Sequence, residues 1–206
     1  KKLARLPIDP IAGRMILAAS DHGCVAEVLV IASALAVQDP RERPAERQAQ
    51  ADQAHARFRD PRSDFLAFVQ LWRYFEEQRQ ALSQSQLRKL CQREYLSFLR
   101  MREWRDIHRQ LIIACRQQRI AVPPGVAEEP DYTAIHRALL PGLLSNIAQH
   151  QEDREYLGSR NRKLQIFPGS ALGRQRPKWL VAAEIVETSK VFARTVGTID
   201  PAWILE

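Results

Sequence analysis

Over residues 1–120 the apolar positions recur three and four apart, the period of helices that bury one stripe. Ile11, Met15 and Ile16 share a stripe of a helix from Ile11 to Ser20. Gly23 is placed to end it, because glycine enters the left-handed conformation of a helix C-terminus without a Cβ clash. Cys24 to Val37 is almost wholly apolar (Val25, Val28, Leu29, Ile31, Leu35), the pattern of a helix buried on most sides. Asp39-Pro40-Arg41-Glu42-Arg43-Pro44 breaks that run with two prolines. Ala45 to Arg57 is polar almost all round and is expected to be an exposed, mobile helix. Asp60-Pro61 offers a cap and a first-turn proline for the next helix. Its Phe65, Phe68, Val69, Trp72 and Phe75 form an aromatic stripe at helical spacing, which reads as core packing. Ser83 is a cap for a short helix through Leu87 and Leu90. The longest helix is read over residues 94–118, with Leu96, Leu99, Trp104, Ile107, Leu111 and Ala114 turned inward.

Ile120 to Pro130, with three prolines and a glycine, divides the chain. It separates a helical domain (1–120) by a linker (121–131) from a second unit (132–206). That unit opens with an amphipathic helix from Tyr132 to Gln149 through Ile135, Leu139, Leu143 and Ile147. These are more apolar positions than a small barrel covers, so the helix is expected to pack on the helical side as well. The periodicity then changes. Leu164-Gln165-Ile166-Phe167 reads as a short strand closed by Pro168-Gly169-Ser170, and Trp179–Thr188 and Val191–Ile199 are β-branched runs. Short strands with basic loops suit a small barrel of oligonucleotide-binding type. The fold class is therefore α+β, an all-helical domain followed by a small β-barrel.

Charge sharpens this picture. Residues 1–120 hold 21 Lys/Arg against 14 Asp/Glu, whereas residues 121–206 hold 10 of each, so the whole net charge of +7 sits in the helical part. A basic excess confined to one half suits a polyanion partner and equally a merely soluble basic surface. Residues 88–119 carry nine Arg/Lys against three acids, with Arg102, Arg105 and Arg109 on one helical face and Arg100 off it. Pairing such as Arg102 with Asp106 would make that face ordinary solvated surface. A second cluster, Arg154, Arg160, Arg162, Lys163, Arg174, Arg176 and Lys178, surrounds the first strand read above. Basic loops beside aromatics on a small barrel form a single-strand groove.

Other chemistries find no support. Cys24, Cys91 and Cys115 are an odd, unpatterned set, read as reduced core thiols of a cytoplasmic protein. His22, His55, His108, His136 and His150 lack metal-ligand spacing, so no metal is expected. No apolar run approaches the ~20 residues of a membrane span. Gly169-Ser170-Ala171-Leu172-Gly173 has no following lysine and cannot be a phosphate loop. No nucleophile elbow is present. Glu76-Glu77 and Glu128-Glu129 read as solvated charges rather than as an acid–base pair. The absence of an initiator Met is read as a start inside a longer polypeptide.

The residues resemble a known family. Leu3-Ala4-Arg5-Leu6-Pro7-Ile8-Asp9-Pro10, with Arg14-Met15 and His22-Gly23-Cys24, is similar to the helicase-associated region of DEAH-box RNA helicases. There the run marks passage from a winged-helix domain into a helical ratchet domain. Ser63-Asp64-Phe65-Leu66, Leu90-Cys91, Tyr95-Leu96, Arg105-Asp106-Ile107 and Gln110-Leu111 continue the resemblance. So do Ile135, Leu139, Gly142, Asn146, Phe167-Pro168-Gly169-Ser170, Trp179, Glu184, Thr188-Ser189-Lys190, Arg194 and Asp200-Pro201 with Trp203 in the barrel. Asp39 to Pro44, Ser63 to Phe68 and Arg102-Glu103-Trp104 look most like the bacterial HrpA-type proteins. Phe65 and Phe167 stand where eukaryotic members commonly have histidines, and Leu99 where many have an arginine.

The resemblance implies an accessory region that grips single-stranded RNA while RecA-like domains elsewhere in the polypeptide hydrolyse ATP with Mg. The expected RNA contacts are Ser97 and Arg100 on the ratchet helix, Arg160, Arg162 and Lys163 before the first strand, and Lys190 and Arg194 near the last. The expected partners are single-stranded RNA and the RecA-like and winged-helix domains of the same polypeptide, with the chain monomeric. The alternative is a protein-docking module that recruits a helicase activator. With no cofactor expected on this chain, the isolated protein is predicted to show no ATP turnover; activity that co-purifies with it through successive columns would overturn this.

Overall fold

Among residues 9–205, which the computed structural model describes, seven α-helices are followed by a closed barrel of five strands. The expected order of a helical part and then a barrel is the order found. Lys1 to Ile8, which open the family resemblance, and Glu206 lie outside the described residues.

Helix α1 (Pro10–His22) begins where the Asp9 carboxylate accepts the Ile11 N–H at 2.9 Å, and it ends on Gly23 at φ 73°. Helix α2 (Val25–Leu35) is the axis of the helical part, with every residue from Val25 to Ala34 buried. Around it pack α1, α4 (Asp64–Ala81), α6 (Phe98–Gln117) and α7 (Tyr132–Leu143). Trp104 of α6 is fully buried against α2, and its indole N–H donates to the Val30 carbonyl (3.1 Å) and to Ser33 Oγ (2.9 Å). Ser33 donates in turn to the Leu29 carbonyl at 2.7 Å, so the polar atoms buried with the tryptophan all have partners. The proline-rich stretch after α6 is tied down too. The Ala127 N–H donates to the buried Glu27 carboxylate at 3.3 Å, and its carbonyl accepts from Arg73.

Several boundaries differ from those the sequence suggests. The cap of α4 is Ser63, whose hydroxyl accepts the N–H groups of Phe65 and Leu66; Asp60 instead closes its own turn on the Arg62 N–H at 2.8 Å. Helix α6 starts only after Ser97, and Leu99 is 64% exposed rather than inward. At ~100° per residue Leu99 lies about 200° round the helix from Met101, which is fully buried. The polar stretch after Pro44 is a short helix, α3 (Gln48–His55), flanked by single 3-10 turns. It is mostly exposed, as expected, but is seated through Ala51, His55 and Phe58, which are buried, with His55 Nε2 3.0 and 3.1 Å from the carbonyls of Glu94 and Tyr95. The expected short helix after Ser83 is α5 (Gln84–Arg93), with a complete capping box between Ser83 and Gln86.

The largest correction concerns residues 144–157. Helix α7 stops at Leu143, shortly after Pro141, and one 3-10 turn leads into β1 (Ile147–Glu152) and β2 (Glu155–Leu157). These two strands precede β3 (Lys163–Ile166), β4 (Trp179–Glu187) and β5 (Val191–Thr198). The barrel closes in the order β1-β2-β3-β5-β4, antiparallel throughout except for β3 beside β5, where Gln165 pairs with Phe192 and Ile166 with Ala193. Its own interior is small: Ala148, Tyr156, Leu164, Leu172, Leu180, Ala182, Ala193 and Val196. Val181 and Ile199 instead join the core of the helical part through α7, so the barrel shares its apolar burial with the helices.

Two close approaches set that junction. A Cβ on Gly142 would lie 3.0 Å from Met15 side-chain atoms and from the Ile11 carbonyl, so α7 crosses α1 closely at a point where it contributes no side chain of its own. A Cβ on Gly197 would lie 2.9 Å from the His136 ring and 3.1 Å from Phe65, so β5 is pressed directly on α7 and α4. His136 Nδ1–H donates to the Tyr132 carbonyl at 2.7 Å, which leaves Nε2 to accept from Ser63 Oγ at 2.6 Å. Burial pushes this imidazole down to about 4, and a proton on Nε2 would also face a hydroxyl whose lone pairs already take two N–H groups. Asp64 completes the junction: its carboxylate accepts from Ser170 Oγ, from the Ala171 N–H (3.1 Å) and from the Val196 N–H (3.0 Å).

Two predictions follow from these contacts. Asp64→Ala strands the Ala171 and Val196 amides and is expected to lower stability by about 3 kcal/mol in urea denaturation. A cost below about 1 kcal/mol would show that the barrel docks by apolar contact alone. Stability is also expected to fall as pH drops from about 6.5 to about 4. His136 and His108 are both pushed down to about 4 by burial, so in that window the unfolded chain binds protons that the native state refuses. His108→Phe, which keeps the packing against Trp72 at 4.3 Å, is expected to remove up to about 1.4 kcal/mol per pH unit of that slope. An unchanged slope would exclude His108 as a source.

Candidate nucleic-acid interface

A groove of about 180 Å³ runs between the helical part and the barrel. Residues 39–59 and the start of α4 form one wall, and the loop that follows β3 together with β5 forms the other. Asp39, Arg41, Arg43, Arg59, Phe167 and Arg194 line it, so cations come from both walls.

The Asp39 carboxylate takes the Arg41 backbone N–H (2.9 Å), Nε (3.0 Å) and Nη2 (2.9 Å), a fork that holds the guanidinium 5.0 Å above the Phe68 ring. Burial alone would push the Asp39 carboxyl up. The charge and hydrogen bonds of Arg41, with Arg194 across the groove, outweigh it and hold Asp39 below the usual carboxylate range. Arg43 is paired with Asp52 at 2.8 Å, whereas the exposed Arg59 side chain has no ion-pair partner among the described residues.

The opposite wall owes its chemistry to β5. Its buried positions Ala193 and Val196 are three apart, because Thr195 at φ 58° interrupts the strand alternation. Phe192 and Arg194 flank the buried Ala193 and so lie on the outer surface by ordinary strand alternation. Arg194 lies 5.1 Å over the Phe167 ring and 3.8 Å from Glu184, and Phe167 meets Phe192 edge to face at 5.8 Å. Both rings are partly exposed. Sequence reading missed Phe192, Arg41, Arg43 and Arg59 as candidates. The signal for Phe192 was its outward alternation with Arg194; that for Arg41 and Arg43 lay in a segment that reads as a helix breaker, and Arg59 stands alone between two elements.

The seven expected contacts do not form one cluster. Ser97 caps α6, its hydroxyl oxygen accepting the Arg100 N–H at 3.2 Å. Arg100 Nη1 donates to the Asp39 carbonyl at 3.1 Å, which places it behind the helical wall of the groove. Arg160, Arg162, Lys163 and Lys190 gather at the far end of the β3–β5 pair. Two residues back from the Gln165–Phe192 pairing, Lys163 comes level with Lys190. Four residues at ~3.3 Å each separate this end from Phe167 and Arg194, so the outer edge of the barrel is a basic and aromatic strip of roughly 13 Å. Arg162 is paired with Glu187 at 2.7 Å and Lys163 with Glu155 at 3.9 Å. Arg160, at φ 59°, and Lys190 are exposed with no ion-pair partner among the described residues.

The arginine face of α6 is largely self-neutralised. Arg105 binds Glu76 at 2.8 Å, and Asp106 pairs with Arg109 at 3.3 Å rather than with Arg102. Among the described residues no helix is long and apolar enough to cross a membrane.

Comparison with known proteins found two family models along the chain. The family model of the ratchet-like helicase associated domain (HA2) matches residues 9–68, and that of the oligonucleotide/oligosaccharide-binding (OB) fold matches residues 135–206. Over 205 residues, 99% of the chain, it is 49% identical to the ATP-dependent RNA helicase HrpA of Escherichia coli and to the HrpA homolog of Haemophilus influenzae, covering 16% of each. It is 27% identical over 209 residues to the pre-mRNA-splicing factor ATP-dependent RNA helicase prp22 of Schizosaccharomyces pombe, covering 17% of that protein. The chain thus spans about one sixth of the length of these curated relatives.

Proposed function

The chain belongs to the family of ratchet-like helicase-associated and OB-fold regions of HrpA-type DEAH-box helicases, and from that premise we propose that its interdomain groove holds single-stranded RNA without reading its sequence. The observation that carries this reading is Arg194 over the outward Phe167 ring, itself edge to face with Phe192, opposite Arg41, Arg43 and Arg59. Rings and guanidinium planes stack on any base, and cations bind any phosphate. Nothing in such a set distinguishes one base edge from another, which suits a surface that must release each nucleotide in turn.

In this reading RecA-like domains elsewhere in the polypeptide bind ATP and Mg and supply the motion, and the winged-helix domain precedes the ratchet. The protein works as a monomer in the cytoplasm. Arg160, Arg162, Lys163 and Lys190 hold phosphates at the far end of the strip, and Arg194 holds one beside Phe167. Arg100 contributes charge through the groove wall, and Ser97 shapes the start of α6.

The test is fluorescence anisotropy of the whole chain with labelled single-stranded RNAs of unrelated sequence. Phe167→Ala with Arg194→Ala is expected to weaken every RNA about tenfold, since one lost stacking contact is worth about 1–3 kcal/mol. The slope of log affinity against log salt is expected to flatten by about 0.7 for the one cation removed. Binding equal to wild type at every salt concentration would overturn the reading. It would turn attention to a protein that docks on the same strip.

A further inference from the structure

On the other side of the Phe167–Ser170 turn from the groove lies a second cavity, of about 470 Å³, between β2, β3 and the loop that leads to β4. Tyr156, Ile166 and Pro168 give it an apolar floor, and Arg154, Arg174 and Arg176 rim it. We propose that this cavity is a second nucleotide site, which takes the base of a single strand on its floor and the flanking phosphates on Arg154 and Arg174. The proposal rests on the reading of the groove as an RNA interface.

The cavity is built rather than incidental. Leu172, fully buried in the barrel, fixes the middle of the loop, and Tyr156 donates its hydroxyl proton to the Pro177 carbonyl at 2.7 Å to fix its end. Between these anchors the Leu172 carbonyl accepts from the Gln175 and Arg176 N–H groups, and Arg176 sits at φ 44°. The loop therefore presents its arginines from a pinned backbone. Of the three arginines, Arg176 pairs with Asp153 at 3.4 Å. Arg154 and Arg174 are exposed and have no ion-pair partner among the described residues, so two guanidinium groups remain for an anion.

An apolar floor beneath unpaired cations fits a nucleotide, which has an apolar ring face and an adjacent phosphate. An acidic peptide would use the cations and leave the floor empty. Position favours the nucleotide as well. Ile166 and Pro168 line this cavity while Phe167 and Gly169 line the groove, so a strand leaving the groove over this turn arrives at Arg154 and Arg174 with its backbone unbroken.

The experiment compares labelled oligouridylates of about four and about twelve nucleotides, within the span that one such fold covers. Arg154→Ala with Arg174→Ala is expected to leave the short RNA bound as in wild type. The long RNA is expected to bind about fivefold more weakly, with a salt slope flatter by about 1.4 for two phosphates released. Neither residue has a partner to lose, and unchanged thermal unfolding of the variant confirms that the fold is intact. Equal effects on both lengths, or none on either, would overturn the second site. So would a wild type that binds the long RNA no more tightly than the short one, or that binds neither. Polyglutamate that binds as tightly as RNA, and is lost in the same variant, would overturn it in favour of an acidic protein. Phe167→Ala with Arg194→Ala separates the two readings: if that variant binds like wild type, the groove fails whatever the second cavity does.

Discussion

The Asp64 carboxylate, at the first position of α4, takes three donors from the barrel, and the arrangement of the groove depends on it. Ser170 and Ala171 are held at one end of the β3–β4 loop and Val196 at the bend of β5. These are the two segments that carry Phe167 and Arg194. The same helix end is capped by Ser63, whose hydroxyl proton goes to His136 of α7. One turn of helix thus ties α4, α7, β5 and the β3–β4 loop together. A carboxylate at a helix N-terminus is favoured by the helix dipole, so the anchor is stabilised by the helix as well as by its donors.

Because this tie is polar and fully partnered, the barrel does not need a large core of its own. Its eight interior residues include three alanines, too little apolar burial to expect stability alone. The missing burial comes from Val181 and Ile199, which join the helical core, and from the close approach allowed by Gly197. Neutral His136 suits this setting. A charged imidazole there would have to be desolvated against Ser63, whereas the neutral ring accepts its proton and stacks on Tyr132 at 3.8 Å. The two walls of the groove are consequently parts of one packed body, and the distance between their cations is set by the core.

Not every basic residue serves the same purpose. Arg41 is committed to Asp39, Arg105 to Glu76 and Arg162 to Glu187, and their first effect is to hold loops and helices in place. Arg59, Arg154, Arg160, Arg174 and Lys190 have no ion-pair partner among the described residues, and all are exposed. Exposed cations without an ion-pair partner among the described residues lie on the helical part too, Arg47, Lys89, Arg93, Arg102 and Arg116 among them, so it is the aromatic rings beside Arg194, not the lack of a partner, that set the barrel strip apart.

The sequence by itself determined the helices with strong stripes, their caps at Ser83 and Gly23, the two most apolar strands and the family. Each depends on residues near one another in the chain. Ser63, as a cap, and the passage from Leu143 into β1 were misread because local signals competed. Asp60-Pro61 resembles a helix start, and Ile147 keeps helical spacing with Leu143 while pointing into a sheet. Strands β1 and β2 carry few apolar residues because a small barrel needs only one inward side chain from each, Ala148 and Tyr156. The seven expected contact residues were legible as charges, but their positions were not. Only the tertiary structure decided that Ser97 closes a helix, that Arg100 faces a carbonyl, and that Phe167, Phe192 and Arg194 share a surface. The reason is that the parallel pairing of β3 with β5 brings Phe167 beside Phe192 and Arg194, and a pairing between segments distant in the chain leaves no mark in its local pattern.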